Sequence, residues 1–494
     1  MVNKINFIMN AFNYFFEKTS GSDDLFLVGK ENVSFKDLYI SSVQLATYLK
    51  TEYGQNRNIL LLSVNNQFFL TAYFAIIKSG NVCIPLDPNI EKENFSYISD
   101  LTKPVLTFLT RDIERKLITD PVNCVFPDTI DKYKSQEIFP GETEDFKTEN
   151  CAEIIFTSGS TGVPKGVMIS HKNLIANTES IIKYLKLTPQ DRMLVVLPFY
   201  YCYGLSLLHT HLRVGGSIVF NNSFIFLGGI IKNLLEYRCT GFAGVPSHFQ
   251  ILLRKSDNFK NTKFPALKYV TQAGGKLAPI FIDEFRKSHP EVTFIVMYGQ
   301  TEATARLSYL PPELYETKKG SMGKGIPDVE LKVVNEKGKP IKPGETGEVI
   351  ARGDNVMLGY YEDEEGTRNT IRDGWLFTGD LGTVDDDGYI FLTARIKEII
   401  KVGGKRISPK EIEAVILELS EVVDCTIEGV EDELLGEALK AIIVIRSENG
   451  KEDMLKKIKQ HCSINLALYK VPQIFELKEQ LVIAPTGKKI KGKL

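Results

Sequence analysis

Up to about Thr301 the chain repeats one unit: a short apolar run, a turn, then a longer helical stretch, as in NILLLSV followed by QFFLTAYFAIIKSG. Strands that alternate with helices pair in parallel, because each crossover uses a helix to carry the chain back, and those helices cover the sheet. MLVVLPF, GSIVF, GFAGVP, LKYVTQAGG and TFIVMYG fit the same unit, each ending in a Gly, Pro or aromatic cluster. That end of an open α/β sheet is where ligands bind. From about Gly320 the texture changes: VELKVVNEKGKPIKPGETGEVIARG and WLFTGDLGTVDDDGYIFLTAR read as short strands joined by Gly and Asp turns. After Arg395 a third texture begins, in which EIIKV, VVDCTIEGV and ALKAIIVI alternate with helical stretches starting at Ser408 and Lys451. The expected fold class is therefore α/β: a large N-terminal domain, residues 1–396, of parallel or mixed sheets wrapped by helices, with a β-rich subdomain over about 320–396. A small α/β C-terminal domain, residues 397–494, follows it and falls in the usual size range. Ser408, Pro409 and Glu411 predict a capping box at its first helix.

Length agrees with more than one domain, since 494 residues exceed what a single hydrophobic core usually serves. The 60 basic and 62 acidic side chains nearly cancel. That balance removes the electrostatic footprint of a nucleic-acid or membrane-surface binder and points to a small-molecule partner. Seven cysteines, Cys83, Cys124, Cys151, Cys202, Cys239, Cys425 and Cys462, include no C-x-x-C pair and read as reduced thiols of a cytoplasmic protein. Asn3, Asn10 and Asn13 interrupt the apolar N-terminal segment and no small-residue cleavage site follows, so a docked amphipathic helix is expected there rather than a secretory signal. The apolar run FIFLGGII from Phe224 is too short to span a bilayer.

The strongest local signal is EIIFTSGSTGVPKGV, from Glu153 to Val167. An apolar strand opens into Thr157, Ser158, Gly159, Ser160, Thr161 and Gly162, and Lys165 follows. Hydroxyls and glycine amides packed this densely can surround phosphate oxygens, because glycine permits close approach and successive N–H groups form an anion nest. Composition alone would favour a flexible surface loop. The strand before it and the helical run NLIANTESIIKYL after it favour the phosphate loop. It is not a Walker A loop, because Pro164 precedes Lys165 and Gly166 follows it.

The loop resembles the signature of the adenylate-forming superfamily, which includes acyl-CoA synthetases, luciferases and the adenylation domains of nonribosomal peptide synthetases. The resemblance covers nearly the whole chain. LPFYYCYGL at Leu197, MYGQTEA at Met297, GETGEV at Gly344, WLFTGD at Trp375, LTARIKEIIKVGGKRISPKEIE at Leu392 and PTGKKI at Pro485 follow in the family's order. It implies an AMP-forming acid-thiol ligase that joins a small carboxylic acid to AMP and then passes the acyl group to a thiol. The implied cofactors are ATP, Mg²⁺ and CoA, or the pantetheine of an acyl carrier protein.

The resemblance also implies roles. Thr301 contacts the α-phosphate and Glu302 holds Mg²⁺, an ion that prefers few carboxylates plus phosphate oxygens and water. Tyr298 stacks on adenine, with Gly275 and Gly299 leaving room; an ordinary core aromatic is the competing reading. Asp380 binds the ribose, Arg395 reaches the same region, and Lys397 is the hinge of a mobile C-terminal domain. Lys488 is the catalytic lysine, with Lys489 as its rival because the tail doubles the residue. Gly403 and Gly404 line a tunnel for the pantetheine arm, or simply form a β-turn. Asp385, Asp386 and Asp387 read more simply as a hairpin turn than as a metal cluster.

By the same analogy Tyr201, Tyr203, Val245, Ala273, Gly274 and Met297 wall the acid pocket. FYYCYG lacks the Asp that holds an α-amino group in amino-acid adenylation domains, which disfavours an α-amino acid, and Tyr201 stands where acyl-CoA synthetases often carry His. Arg306 could pair a second carboxylate on the substrate, although an exposed surface salt bridge is the commoner fate of an arginine. An acyl-AMP ligase that loads a carrier protein is the main alternative. A luciferase-like oxygenase and an inactive nucleotide-binding regulator rank below it.

Overall fold

The computed structural model describes residues 9–118, 123–135, 146–157, 163–224, 226–432, 435–446, 450–479, 481 and 486. The expected strand-helix units build two sheets. One runs, in spatial order, through Gly359–Tyr360, Lys165–Ser170, Cys151–Thr157, Val82–Leu86, Asn58–Leu62, Leu106–Leu109 and Cys124–Val125. It is parallel except at Lys165–Ser170 and Gly359–Tyr360, because a strand that leaves the phosphate loop folds straight back on Cys151–Thr157. The second sheet is parallel from Leu25–Leu27 through Ser217–Phe220, Arg192–Val195, Gly241–Gly244 and Tyr269–Gln272 to Thr293–Tyr298. Ser308–Leu310 and Lys324–Gly325 extend it antiparallel.

Between the sheets lies helix Gln67–Lys78, whose residues from Phe68 to Ile77 are all buried. An all-round apolar helix is a core helix, and this one packs in the same core as helices His171–Leu185 and Cys202–Val214. The N-terminal helix, Ala11–Phe16, docks there too. Asn10 caps it by accepting from Phe12 N at 2.9 Å, Ala11 N donates to His171 Nδ1 at 3.2 Å, and Phe12, Phe15 and Phe16 are buried.

An antiparallel sheet of Val329–Val334, Gly347–Gly353, Trp375–Val384, Ile371–Arg372 and Ile390–Arg395 forms the β-rich part. Asp385 to Gly388 make its hairpin turn, with Lys318 bonded to Asp385 at 2.7 Å and to Asp387, so the three aspartates serve a turn and an ion pair. A fourth sheet begins at Ile400–Val402 and continues through Lys405–Ile407, Gly436–Ile445, Val422–Asp432 and Ile474–Lys478. Helices Pro409–Leu417 and Lys451–Asn465 complete it. The capping box expected at Ser408 does not form: its hydroxyl instead donates to the Thr393 carbonyl at 2.6 Å, tying the helix to the preceding sheet.

Helix Pro246–Lys255 docks this last part onto the rest. The side chain of Arg254, 3 % exposed, donates to the carbonyls of Leu417 (3.1 Å), Leu419 (2.9 Å) and Val422, and pairs with Glu284 at 2.7 Å. Gln250 adds a bond to Asp424 at 3.1 Å. No helix among the described residues is long and apolar enough to cross a membrane. All seven cysteines are free thiols.

Candidate active site

The site forms where strand Thr293–Tyr298 ends. The chain leaves the strand through Gly299, makes a single 3-10 turn over Thr301–Ala303, and returns as Ser308–Leu310. So tight a return needs glycine: a Cβ on Gly299 would overlap the Ala305 carbonyl. Thr304 sits at φ +65° and ψ −54°, with Ala305 N donating to Ala303 O at 2.7 Å, which is a γ-turn. A β-branched residue at positive φ is strained, and the bond from its hydroxyl to Asn355 O at 2.7 Å helps to hold it there. The turn fixes Thr301, 6 % exposed, with its hydroxyl 3.5 Å from the Cys202 sulfur, and presents Glu302 beside it.

Two residues that the motifs do not indicate complete this corner. Tyr360 donates from its hydroxyl to Glu302 Oε1 at 2.9 Å, and its ring lies under the Lys165 ammonium at 4.9 Å. Lys165 pairs with Asp363 at 2.6 Å, and that bond, with the Gly366 amide, holds the Asp363 carboxyl below its usual range. The structure thus brings Lys165, Glu302, Tyr360 and Asp363 together. Thr157 closes the strand that faces Lys165. Ser158, Gly159, Ser160, Thr161, Gly162 and Lys488 lie outside the described residues.

On the other side of the turn, Tyr298 donates to Asp380 Oδ2 at 2.7 Å, and Arg395 reaches Asp380 Oδ1 at 3.4 Å from the facing position of the next strand. Burial lifts the Asp380 carboxyl above its ordinary range in spite of Arg395. Gly275 backs onto the Pro246 ring. Lys397 lies in the 3-10 turn Ile396–Glu398, between the last strand of one sheet and the first of another. Gly403 and Gly404, at φ +54° and +79°, form the exposed turn joining Ile400–Val402 to Lys405–Ile407. The structure does not bring that turn to the site: around it a Cβ would meet only Leu435.

Of the six residues expected to wall the acid pocket, Tyr201, Tyr203, Val245 and Gly274 lie against one another. A Cβ on Gly274 would lie 2.8 Å from the Tyr201 hydroxyl and 3.0 Å from Val245. The Tyr203 hydroxyl is bonded to Thr271 Oγ1 at 2.8 Å, Tyr201 and Tyr203 meet edge-on, and Met297 receives the Tyr184 hydroxyl at 2.9 Å. Ala273 belongs to the same buried cluster. Arg306 is not on the surface, as an exposed salt bridge requires; it is 2 % exposed, because the tight return turns its side chain inward against the Tyr203 ring at 4.2 Å.

Tyr360 and Asp363 escape sequence reasoning because they come from a strand far along the chain, which pairs with Lys165–Ser170 only in three dimensions, and from the cap of the helix that follows it. The buried set Tyr73, Glu153 and His209 was equally silent. Tyr73 lies within 2.7 Å of both partners, and burial pushes the Glu153 carboxyl up to about 7 and the His209 imidazole down to about 3.

A carboxylate on a strand-end turn with a lysine near it, and an Asp and Arg pair across two strands, are the groups expected of an adenylate-forming enzyme. The chain belongs to the AMP-binding enzyme family, whose model matches residues 16–361, with the AMP-binding enzyme C-terminal domain matching residues 411–488. It is 30 % identical over 478 residues to an oxalate–CoA ligase of Arabidopsis thaliana, covering 93 % of this chain and 92 % of that protein. It is 31 % identical over 366 residues to a long-chain-fatty-acid–CoA ligase of Salmonella typhimurium, covering 73 % and 64 % of the two chains. Its fold is similar, at a TM-score of 0.84 and 25 % identity, to O-succinylbenzoate coenzyme A synthetase of Bacillus subtilis in complex with ATP and magnesium ion, over 97 % and 98 % of the chains. The chain is an AMP-forming acid-thiol ligase.

Proposed function

We propose that this enzyme activates a small carboxylic acid with ATP in the site around the Thr301 turn, then transfers the acyl group to CoA in the cytoplasm. The observation that carries the reading is the convergence of Lys165, Thr301, Glu302, Tyr298, Asp380 and Arg395 at the end of one strand. In the first step a substrate carboxylate oxygen attacks the α-phosphorus, and the bond to the bridging oxygen breaks, so pyrophosphate leaves with the electron pair. In the second the thiolate sulfur attacks the acyl carbon and AMP leaves, the thiol proton passing to solvent. Making a mixed anhydride first splits one hard displacement into two easier ones.

The residues present fit the nucleotide and its metal. Asp380 offers two oxygens to ribose hydroxyls, and Tyr298 and Arg395 already orient them. Tyr360 donates to one oxygen of Glu302, and the other would hold Mg²⁺. That ion would supply charge neutralisation on the phosphates. Lys165 exchanges Asp363 for phosphate oxygens, and Lys488 steadies the charge that builds at the α-phosphate. Lys397 absorbs the backbone rotation that moves the C-terminal part between steps. Transfer to a carrier protein is the second reading; with either acceptor, Gly403 and Gly404 would line the pantetheine arm only after rotation at Lys397 carries their turn to the site.

The acids named for the relatives, oxalate, long-chain fatty acids and O-succinylbenzoate, differ too much to select one here. Acid-dependent pyrophosphate release over a panel of carboxylates, with and without CoA, tests the whole reading. We expect one acid class to release pyrophosphate, CoA to accelerate turnover, and Lys488→Ala to be silent. Failure of every acid, or ATP cleavage to ADP, would refute it.

A further inference from the structure

Two buried arginines in this chain differ in one respect. Arg254 is saturated: a carboxylate and three main-chain carbonyls surround it. Arg306 is equally buried, yet among the described residues no salt bridge reaches it, its Nε has no partner, its bonds to Ala305 O and Ser206 Oγ are both 3.4 Å, and its other hydrogen-bond neighbour is the hydroxyl of Tyr184, which carries no charge to offset it. Charge-assisted bonds are normally shorter, about 2.7–2.9 Å. The guanidinium is held over the Tyr203 ring at 4.2 Å, beside the Tyr184 hydroxyl. Both phenols stay neutral, because burial raises them above their ordinary range. A buried charge without a counter-charge is unfavourable unless something else supplies one.

The position says what would supply it. Tyr203 and Met297, which receives Tyr184, are two of the residues expected to wall the acid pocket. Helix Cys202–Val214 links the Thr301 turn to Arg306: Cys202 touches Thr301, and Ser206, one turn along, touches Arg306. Four helical residues span roughly 6 Å. A small molecule with one end at Thr301 therefore meets Arg306 a few bonds away.

We propose that Arg306 is the counter-charge for a second carboxylate, so that the substrate is a short dicarboxylic acid activated at one end and gripped at the other. This rests on the adenylating reading of the site. The test is pyrophosphate release with a ladder of α,ω-dicarboxylates and their monomethyl esters, which keep the shape and lose the charge. Short diacids should be preferred over their esters by at least about 100-fold in kcat/KM, as for sites built around a polar group. Arg306→Met should erase that preference by lowering the diacid value and sparing the ester, and Arg306→Lys should restore part of it. Equal turnover of diacid and ester by the unmodified enzyme overturns the assignment of Arg306 alone, even if Arg306→Met does not fold, and so does an equal loss for both substrates in the variant. Turnover with no acid at all overturns the assignment together with the adenylating reading.

Discussion

Glu153 is the start of the phosphate-loop strand run and a fully enclosed carboxyl, held by Tyr73 and raised to about 7 from an ordinary value of 4.5. Between those values the unfolded carboxyl ionises while the folded one keeps its proton. Its contribution to stability is thus complete below pH 4.5 and lost as pH rises through about 7. Glu153→Gln, which imitates the protonated form, should match the parent's melting temperature in acid and exceed it above neutrality. A difference in Tm that stays flat across that range would contradict the assignment. The same scale shows what a sequence hides: the motif EIIFTSGSTG announces its hydroxyls, but nothing local announces that Glu153 faces inward toward Tyr73 and His209, because that depends on two helices from distant parts of the chain.

The turn from Gly299 to Arg306 is the element on which the site depends. Its identity was legible: an apolar run ending in YGQTE reads as a strand handing functional groups to a loop. Its purpose for Gly299 was not, since the space a Cβ would take is filled by the chain's own return rather than set aside in the motif. Gly299→Ala should therefore cost at least about 100-fold in pyrophosphate release through displacement of Thr301 and Glu302, with overall folding kept. Near-normal release from a folded variant would show that the turn tolerates another path. Ser408 gives the opposite lesson: a local cap rule was satisfied in sequence and overridden in space, because the Thr393 carbonyl offered its hydroxyl a partner that also joins two sheets.

At the scale of the molecule, the three textures of the sequence fall on the two mainly parallel sheets, the antiparallel sheet and the last α/β unit, except that Lys324–Gly325 and Gly359–Tyr360 from the second texture join the first two sheets. How that last unit docks was not legible, because its anchor is a side chain from helix Pro246–Lys255 bonded to main-chain atoms. Arg254→Met removes the donors together with the cation that lies over the Phe281 ring. It should weaken docking by about 3 kcal/mol or more, seen as faster proteolysis in the segment Ile396–Glu398 and a changed ratio of adenylate to thioester formation. Unaltered cleavage would mean that apolar packing alone holds the unit. Because the Arg254 acceptors in this unit are peptide carbonyls, they are present whatever amino acids stand at 417, 419 and 422. Substitution in the smaller unit cannot delete them; only a displaced backbone can, so that unit is free to diverge at these three positions while keeping the same seat for Arg254.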